Sequence, residues 1–252
     1  MTQAEPCQLL QWDTDFFGRR IARIYSNQLD EKLVEAIYAW TESNHIDCLY
    51  FLANSEDIDT IRLAEDLDFR LVEIRLNMER SLKDWNPDTR LHTAPDIQIR
   101  LGKVEDIPRL QEIARHSYFD SRFYFDRCFP EDSWQAYYAT WVKKSFEGGA
   151  QIALVAEHIG QIIGYITGLI DPHDPTKGQY ELTGVDPAAR NLGAGNELFR
   201  SGLDHYVRAG VQYIWLATQG RNIATQRMVQ RNGLVTRSCQ LYFHKWFSPC
   251  SQ

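Results

Sequence analysis

Two glycines, Gly193 and Gly195, stand one residue apart directly ahead of a helical pattern of apolar residues. A glycine loop that opens a helix suits an anion, because the first N–H groups of the helix are unpaired and the helix dipole is positive there. Glycine lets the backbone approach an oxygen-rich ligand closely, and Arg190 ahead of the loop adds a charge-assisted contact. On two glycines alone, a strand-to-helix turn without chemistry explains the spacing at least as well.

Two common phosphate-binding motifs are excluded. The dinucleotide fingerprint G-x-G-x-x-G needs a third glycine where Leu198 stands. The phosphate loop G-x-x-x-x-G-K-[ST] does not occur in the sequence.

The N-terminal segment predicts a small α/β unit. Its strands and helices are expected at RRIARIYSN, CLYFLAN and RLVEIRLNMER (strands) and at EKLVEAIYAWTESN and DIDTIRLAEDLDF (helices). A stretch with two prolines and little periodicity, from Leu82 to Pro95, is typical of a linker. We therefore expect an N-terminal α/β domain at residues 1–90 and a second domain at residues 91–252.

The second segment predicts the element order β-α-α-β-β-β-α-β-α-β. The turn HIGQ between two apolar runs indicates a hairpin. The last four elements are expected at Gly195 to Ala209 (helix), Val211 to Thr218 (strand), Asn222 to Asn232 (helix) and Val235 to Lys245 (strand). This order predicts an α/β fold class with a mixed sheet covered by helices.

Composition is typical of a soluble globular protein, and the scattered cysteines predict a cytoplasmic location. The sequence has no apolar run long enough for a membrane span and no secretory signal pattern at its start. Its net charge of −7 does not favour nucleic acid as a partner, whereas a locally basic C-terminal region suits a small anionic ligand. The five cysteines show no metal-ligand spacing, so we expect no metal site and free thiols in a reducing compartment.

Two motifs carry a resemblance to a known family. The loop RNLGAG, after LTGVDP, resembles the R/Q-x-x-G-x-G/A pyrophosphate loop of the GNAT N-acetyltransferase superfamily, and NIATQRMVQRNGL resembles its later Asn-helix-Gly motif. The resemblance covers residues 96–247, implies acetyl-CoA as the acyl donor, and favours the ligand loop over a simple turn. It implies that these residues hold the donor: Leu182, Thr183, Gly184, Val185, Arg190, Asn191, Leu192, Gly193, Ala194, Gly195 and Asn222.

A narrower resemblance concerns the acceptor. QWDTDFFGRRIARI, DSRFYFDRCFPEDSWQAYYATWV and LATQGRN together resemble the dTDP-4-amino-4,6-dideoxygalactose (dTDP-fucosamine) acetyltransferases, whose N-terminal extension resembles a partial copy of the same fold. It implies a nucleotide-linked amino sugar as acceptor and a homodimer. Candidate substrate residues are Arg122 and Arg127 for a diphosphate and Phe123, Tyr124 and Phe125 for a base or sugar. The alternative for these aromatic residues is core packing or a dimer contact.

The sequence departs from the family at the proton donor. The family usually has a tyrosine seven residues after the motif asparagine, and Val229 stands there. Replacement candidates are Tyr242 and His244, which alternation places on one face of the last strand. Glu181 and Asp186 are candidates for the base that deprotonates the amine, although Asp186 also suits a turn before proline.

Two other functions remain open at this point. The missing tyrosine is compatible with a non-catalytic module that binds or senses acyl-CoA. An enzyme of the same fold that acetylates another small-molecule or peptide amine is the other alternative.

Overall fold

Ten strands form one mixed sheet in the computed structural model, which describes residues 5–89, 94, 96–247 and 250. The strands are β1 (Cys7–Leu9), β2 (Ile21–Ile24), β3 (Cys48–Asn54), β4 (Arg70–Ser81), β5 (Ile97–Leu101), β6 (Ile152–His158), β7 (Gln161–Ile170), β8 (Lys177–Val185), β9 (Tyr213–Gln219) and β10 (Val235–Trp246). Their order across the sheet is β1-β2-β3-β10-β4-β9-β8-β7-β6-β5. Strand pairs β2/β3 and β8/β9 are parallel, and the others are antiparallel.

Helices cover both faces of this sheet. They are α1 (Gln11–Phe17), α2 (Glu31–Ser43), α3 (Ile58–Asp66), α4 (Ile107–Arg115), α5 (Arg122–Phe125), α6 (Glu131–Lys144), α7 (Ala194–Arg208) and α8 (Ile223–Arg231). Side-chain alternation along the strands separates two layers of core. Ile166 of β7 packs with α7 on one face, while the adjacent Tyr165 packs with α4 and α6 in an aromatic core on the other.

The predicted α/β fold class with a mixed sheet is confirmed. Every predicted strand and helix exists, in the predicted order, with boundaries that differ by a few residues. Periodicity in the sequence did not indicate β1, α1 and α5, which are short elements of three, seven and four residues. Elements this short show little hydrophobic periodicity, so the sequence does not indicate them. Packing of their side chains against the rest of the protein stabilises them.

Strand β4 joins the N-terminal segment to the centre of the sheet. It lies between β9 and β10, with Arg75 opposite Gln219 of β9 and Glu73 opposite Tyr242 of β10. β10 pairs on its other side with β3. Strands from both segments therefore alternate in the middle of the sheet, and the division into domains at residue 90 stays a prediction.

The WDTDFFG motif near the N-terminus folds as α1. Its aromatic residues pack against the aromatic core, where Phe17 stacks on Tyr137 at 5.2 Å between ring centroids. Asp13 is buried and accepts a hydrogen bond of 3.0 Å from the Tyr137 hydroxyl. Gly18 ends the helix in the left-handed region at φ 62°, which glycine adopts without strain.

The expectation of five free thiols is wrong for two cysteines. Cys128 and Cys250 form a disulfide whose Cα atoms lie 4.9 Å apart. They are 122 residues apart in sequence, so the tertiary fold brings them together. Cys7, Cys48 and Cys239 are free.

The sequence contains no apolar run long enough for a membrane span, and the helices of the structure can be compared with this expectation. Within the described ranges, none of the helices is both long enough and apolar enough to cross a bilayer.

Candidate functional site

A cleft opens where the parallel strands β8 and β9 separate. The strands pair only from Lys177 to Gln179 and from Tyr213 to Trp215, and they diverge beyond these residues. The cleft has a volume of about 100 Å³. It is lined by Ser117, Tyr118, Asp120, Ser121, Tyr180, Glu181, Thr183, Leu216, Ala217, Thr218, Gln219, Asn222 and Thr225.

A β-bulge in β8 shapes one wall of this cleft. Ile166 lies opposite Thr183 and Gly168 lies opposite Tyr180, so β8 has one residue more than β7 over this interval. The extra residue reverses the alternation of side chains. Tyr180 consequently packs in the core under α7, whereas Leu182 packs in the aromatic core on the opposite face.

The glycine loop lies at the end of β8 and leads into α7. Asn191 and Gly193 both adopt the left-handed region, at φ 68° and φ 92°, and Gly193 is the N-cap residue of the helix. Arg190, Asn191 and Leu192 are exposed. A helix N-terminus that has a glycine cap and an exposed arginine beside it suits a diphosphate.

Asp186 stabilises the turn between β8 and the glycine loop. Its carboxylate accepts a hydrogen bond of 2.8 Å from the Ala188 N–H and forms an ion pair with Arg109. The Ala188 hydrogen bond and the Arg109 charge hold the pKa of Asp186 below its ordinary value. These contacts favour the turn role over the role of a base.

Glu181 lies in the wall of the cleft, on the bulged part of β8. Its side chain is partly buried, and this burial raises the pKa of the carboxyl above its ordinary value of 4.5. A carboxylate with a raised pKa is a better proton acceptor, so the environment suits a general base.

Asn222 caps the last helix and borders the same cleft. Its side-chain oxygen accepts a hydrogen bond of 3.1 Å from the Thr225 N–H, which satisfies one of the free N–H groups of α8. Val229 is fully buried in the core under α7. The position of the usual tyrosine is therefore a packing position in this chain.

Tyr242 and His244 lie in the aromatic core and do not line the cleft. They share one face of β10, as alternation predicts, with ring centroids 5.6 Å apart. Burial raises the pKa of Tyr242. Burial lowers the pKa of His244 to about 4, although its 2.6 Å contact with Asp126 acts in the opposite direction. His244 is therefore neutral at pH 7, which does not favour it as a proton donor; its catalytic role stays a prediction.

The five candidate substrate residues fall into two groups: Arg122 and Phe123 pack in the aromatic core, and Tyr124, Phe125 and Arg127 are exposed. Phe123 is fully buried, so no face of its ring is left for a ligand. The Arg122 guanidinium packs over the rings of Tyr242 and Phe123, at 4.9 Å and 4.2 Å. Tyr124 and Arg127 are exposed and remain available at the surface.

Three residues of the cleft wall were not singled out from the sequence. Tyr118 and Ser121 line the cleft from the segment between α4 and α5, and Gln219 lines it from β9. Arg221 stacks on the exposed ring of Phe125, 3.7 Å from its centroid. The quoted motif LATQGRN contains Gln219 and Arg221, but only the geometry shows which of its side chains reach the site.

The residues present fit acetyl-CoA. The left-handed loop and the exposed Arg190 suit a pyrophosphate, and the gap between β8 and β9 leaves unpaired strand backbone for the pantetheine arm. Thr183 and Asn222 border this gap, while Leu182 and Gly184 are buried behind it.

The comparison with known proteins now decides the family. The model of the acetyltransferase (GNAT) family matches residues 108–234, half of the chain. This chain belongs to the GNAT acetyltransferase family. It is accordingly an N-acetyltransferase, and members of this GNAT family use acetyl-CoA.

One curated relative and two solved structures are also similar to this chain. The chain is 22% identical to the spore coat polysaccharide biosynthesis protein SpsD of Bacillus subtilis (strain 168) over 219 residues, 86% of this chain and 72% of that protein. Its fold is similar to a GCN5-related N-acetyltransferase from Sphaerobacter thermophilus, with a TM-score of 0.68, 16% identity and coverage of 97% and 77%. It is also similar to a functionally unknown conserved protein from Staphylococcus epidermidis ATCC 12228, with a TM-score of 0.67, 16% identity and coverage of 98% and 93%.

Proposed function

We propose that this GNAT enzyme transfers the acetyl group of acetyl-CoA to the amine of a nucleotide-linked amino sugar. The observation that carries the proposal is the cleft between β8 and β9, which has Glu181 in its wall, together with the glycine loop that follows β8. The similarity to a polysaccharide biosynthesis protein supports a sugar acceptor. The cytoplasmic location and the homodimer expected from the sequence stay predictions.

The donor site in this proposal consists of the loop and the strand ends. Backbone N–H groups of Gly193, Ala194 and Gly195 hold the pyrophosphate, and Arg190 adds a charged contact. The exposed backbone of β8 from Leu182 to Val185, together with Asn222, holds the pantetheine arm. The bound donor supplies an activated acetyl thioester at the gap.

The acceptor side supplies the base. The amine must be neutral when it attacks, and Glu181 takes its proton directly or through water. Hydroxyl groups along the cleft, from Thr183, Ser121 and Thr218, provide hydrogen-bond donors near the reacting atoms. The side chain of Val229 cannot donate a proton, so the CoA thiolate leaves without being protonated by a tyrosine at this position.

An exposed ledge beside the cleft suits the nucleotide. It consists of Phe119, Tyr124, Phe125 and Arg221, and the three aromatic side chains are 39%, 47% and 42% exposed. Arg221 is fixed by its stacking on Phe125 and by a hydrogen bond of 2.9 Å to the Val72 carbonyl. Aromatic faces stack on a base, and the guanidinium binds phosphate oxygens.

A thiol-release assay with amino sugar nucleotides tests the function. We expect acetyl-CoA-dependent thiol release with such an acceptor and a mass increase of one acetyl group on the sugar. Tight CoA binding without turnover on any amino sugar nucleotide would refute the proposed acceptor.

A second candidate is a module that binds acyl-CoA without catalysis. The burial of Val229 at the usual tyrosine position is the observation that favours it. Calorimetry would then show CoA binding, while a broad panel of amines would show no acetylated product.

A further inference from the structure

We propose that the Tyr118 hydroxyl donates a proton to the departing sulfur of CoA, and that the Tyr165 hydroxyl holds the Tyr118 oxygen by a hydrogen bond. Tyr118 is then a catalytic residue, which supplies the proton that Val229 cannot, and Tyr165 is a positioning residue. The inference rests on the proposed acetyl transfer and adds the proton donor for its leaving group.

Tyr118 is held firmly in the wall of the cleft. It lines the cleft from the segment between α4 and α5. Its hydroxyl oxygen lies 2.8 Å from the hydroxyl oxygen of Tyr165 on β7. Its ring stacks on Tyr138 of α6, with 4.0 Å between the ring centroids and 18° between the ring planes. Contacts at both the ring and the hydroxyl fix the side chain, so a proton donor here is oriented in advance.

The pair of hydroxyls lies against the part of β8 proposed above to hold the pantetheine arm. Tyr165 is opposite Gly184 in the pairing of β7 with β8. A Cβ added at Gly184 would lie 2.8 Å from the Tyr165 hydroxyl oxygen, so the missing side chain makes room for this hydroxyl. The Tyr118 hydroxyl, one hydrogen bond further on, is therefore close to the strand where the thioester is proposed to lie.

The burial of Tyr165 indicates which of the two hydroxyls donates. A hydroxyl carries one proton and can accept through its lone pairs. Tyr165 is fully buried, and among the residues that the structure describes the Tyr118 oxygen is the one hydrogen-bond partner of its hydroxyl. Because buried donors are normally satisfied, Tyr165 donates and Tyr118 accepts. The proton of Tyr118 is then available to a group in the cleft.

The second tyrosine in the cleft wall does not have an available proton. The Tyr180 hydroxyl donates a hydrogen bond of 2.7 Å to the Phe199 carbonyl, in the core under α7. The other hydroxyls that line the cleft belong to serine and threonine, which do not ionise in the range of a thiol. Tyr118 is therefore the phenol of this wall that can act as an acid.

The acidity of Tyr118 suits a thiolate. The ordinary pKa values of a phenol and a thiol, about 10 and about 8.5, are close enough for a proton to pass between them. Burial raises the pKa of Tyr118 well above its ordinary value, so the proton is in place before the thiolate forms. The same burial makes a thiolate in this cleft a stronger base than it is in water.

The proton transfers balance over the reaction. The amine nitrogen forms its bond to the acetyl carbon while the C–S bond breaks, and sulfur keeps the electron pair of that bond. Glu181, the base proposed above, takes one proton from the amine, and Tyr118 gives one proton to sulfur. The hydrogen bond from Tyr165 stabilises the negative oxygen that this leaves on Tyr118. Exchange with water then removes the proton from Glu181 and returns one to Tyr118.

Three variants test these roles: Tyr118→Phe, Tyr165→Phe and the double variant. We expect kcat to fall about 100-fold in Tyr118→Phe, the low end for a general acid, because a thiolate is a fair leaving group. Tyr165→Phe should lower kcat about tenfold, the size of one hydrogen bond to a charged group. The double variant should be no slower than Tyr118→Phe, since Tyr165 acts through Tyr118. Calorimetry should give an unchanged Kd for CoA in all three.

Tyr137→Phe is the matched control for the loss of a buried tyrosine hydroxyl. Tyr137 belongs to the same aromatic core, and its hydroxyl donates a hydrogen bond of 3.0 Å to Asp13. It does not line the cleft. This variant should melt at a lower temperature than wild type and keep the wild-type kcat.

A ring-fluorinated tyrosine at position 118 tests the acid without removing its hydroxyl. Fluorine lowers the pKa of the phenol, and a general acid acts only while it is protonated. The kcat of this protein should therefore fall with increasing pH, with a midpoint at the pKa of the fluorinated phenol. Fluorine NMR of the protein without CoA measures this pKa directly. Adding Tyr165→Phe should raise it, because the phenolate loses its hydrogen-bond donor.

Three results overturn the inference. A folded Tyr118→Phe variant with the kcat of wild type shows that the proton comes from elsewhere. A fall in kcat that does not follow the pKa of the fluorinated phenol excludes Tyr118 as the acid, whether or not Tyr118→Phe folds. A pKa that does not rise in Tyr165→Phe refutes the hydrogen bond from Tyr165.

The identity of the acceptor separates this inference from the proposed function. If wild type acetylates a different amine and Tyr118→Phe is slow with it, the sugar assignment fails and the role of Tyr118 stands. If wild type acetylates a nucleotide-linked amino sugar and Tyr118→Phe is equally fast, only the role of Tyr118 fails. If wild type acetylates no amine, both fail.

Discussion

Replacing Gly193 by alanine tests the glycine loop most directly. Gly193 has φ 92°, and a residue with a side chain costs about 1–2 kcal/mol in this region. An added Cβ would also lie 3.0 Å from the Cβ of Ala94, closer than most real contacts. A loss of this size lowers the melting temperature of a chain this long by about 2–8 °C.

The same substitution should weaken CoA binding. Relief of the strain turns the first N–H groups of α7 away from the pyrophosphate, and each charge-assisted hydrogen bond is worth about 1.5–3 kcal/mol. We expect the Kd for CoA to rise about 10- to 100-fold. Calorimetry on the folded variant, with its melting curve recorded in parallel, provides both numbers.

Gly195→Ala is the matched control two residues away. An added Cβ there meets only Met228 Sδ at 3.5 Å and Val185 Cγ2 at 3.7 Å, which are ordinary contacts. Alanine also favours a helix over glycine by about 0.5–1 kcal/mol. This variant should melt slightly higher than wild type and bind CoA within about threefold. The reasoning is refuted if Gly193→Ala binds CoA like wild type, or if both variants lose the same affinity.

Three further predictions concern the base, the buried histidine and the ledge. Because burial raises the pKa of Glu181, kcat/KM should fall with decreasing pH, with the midpoint of this fall above pH 4.5. Glu181→Gln should abolish this pH dependence and lower kcat/KM about 100-fold. A variant that keeps the wild-type pH profile assigns the base to another residue. The pKa of His244 is lowered to about 4 in the folded protein, so on acidification the unfolded chain takes up a proton at this histidine before the folded protein does. The contribution of this histidine to the free energy of unfolding should therefore be fully present above pH 6.5 and decline by about 3 kcal/mol towards pH 4. Urea unfolding at several pH values measures this decline in the free energy of unfolding, which should be smaller in His244→Asn. An equal decline in that variant contradicts its attribution to His244. Arg221→Gln should lower kcat/KM about tenfold for a nucleotide-linked amino sugar but leave the free amino sugar unaffected, whereas equal losses on both acceptors exclude a nucleotide subsite.

Much of the fold was predictable because its long elements carry regular patterns. The apolar run of β3 and the glycine-led start of α7 were located within one residue. The short helices α1 and α5 were not, because packing of their aromatic residues stabilises them and periodicity does not show this.

The residues of the candidate site were also predictable only where they are neighbours in sequence. The glycine loop is a local feature: its spacing, the helix after it and Arg190 are all contiguous in sequence. The cleft wall is not local, since Tyr118, Glu181 and Gln219 come from three distant segments. No spacing rule links such residues, so Tyr118 and Gln219 were missed.

The sequence by itself determined the family motifs, the order of the elements and the place of the donor loop, because each depends on neighbouring residues. Only the tertiary structure decided that β4 enters the sheet between β9 and β10. It also decided that Phe123 and His244 are buried, while Tyr124 stays exposed. Burial and pairing between distant strands result from the packing of the whole chain, and a single segment does not encode them.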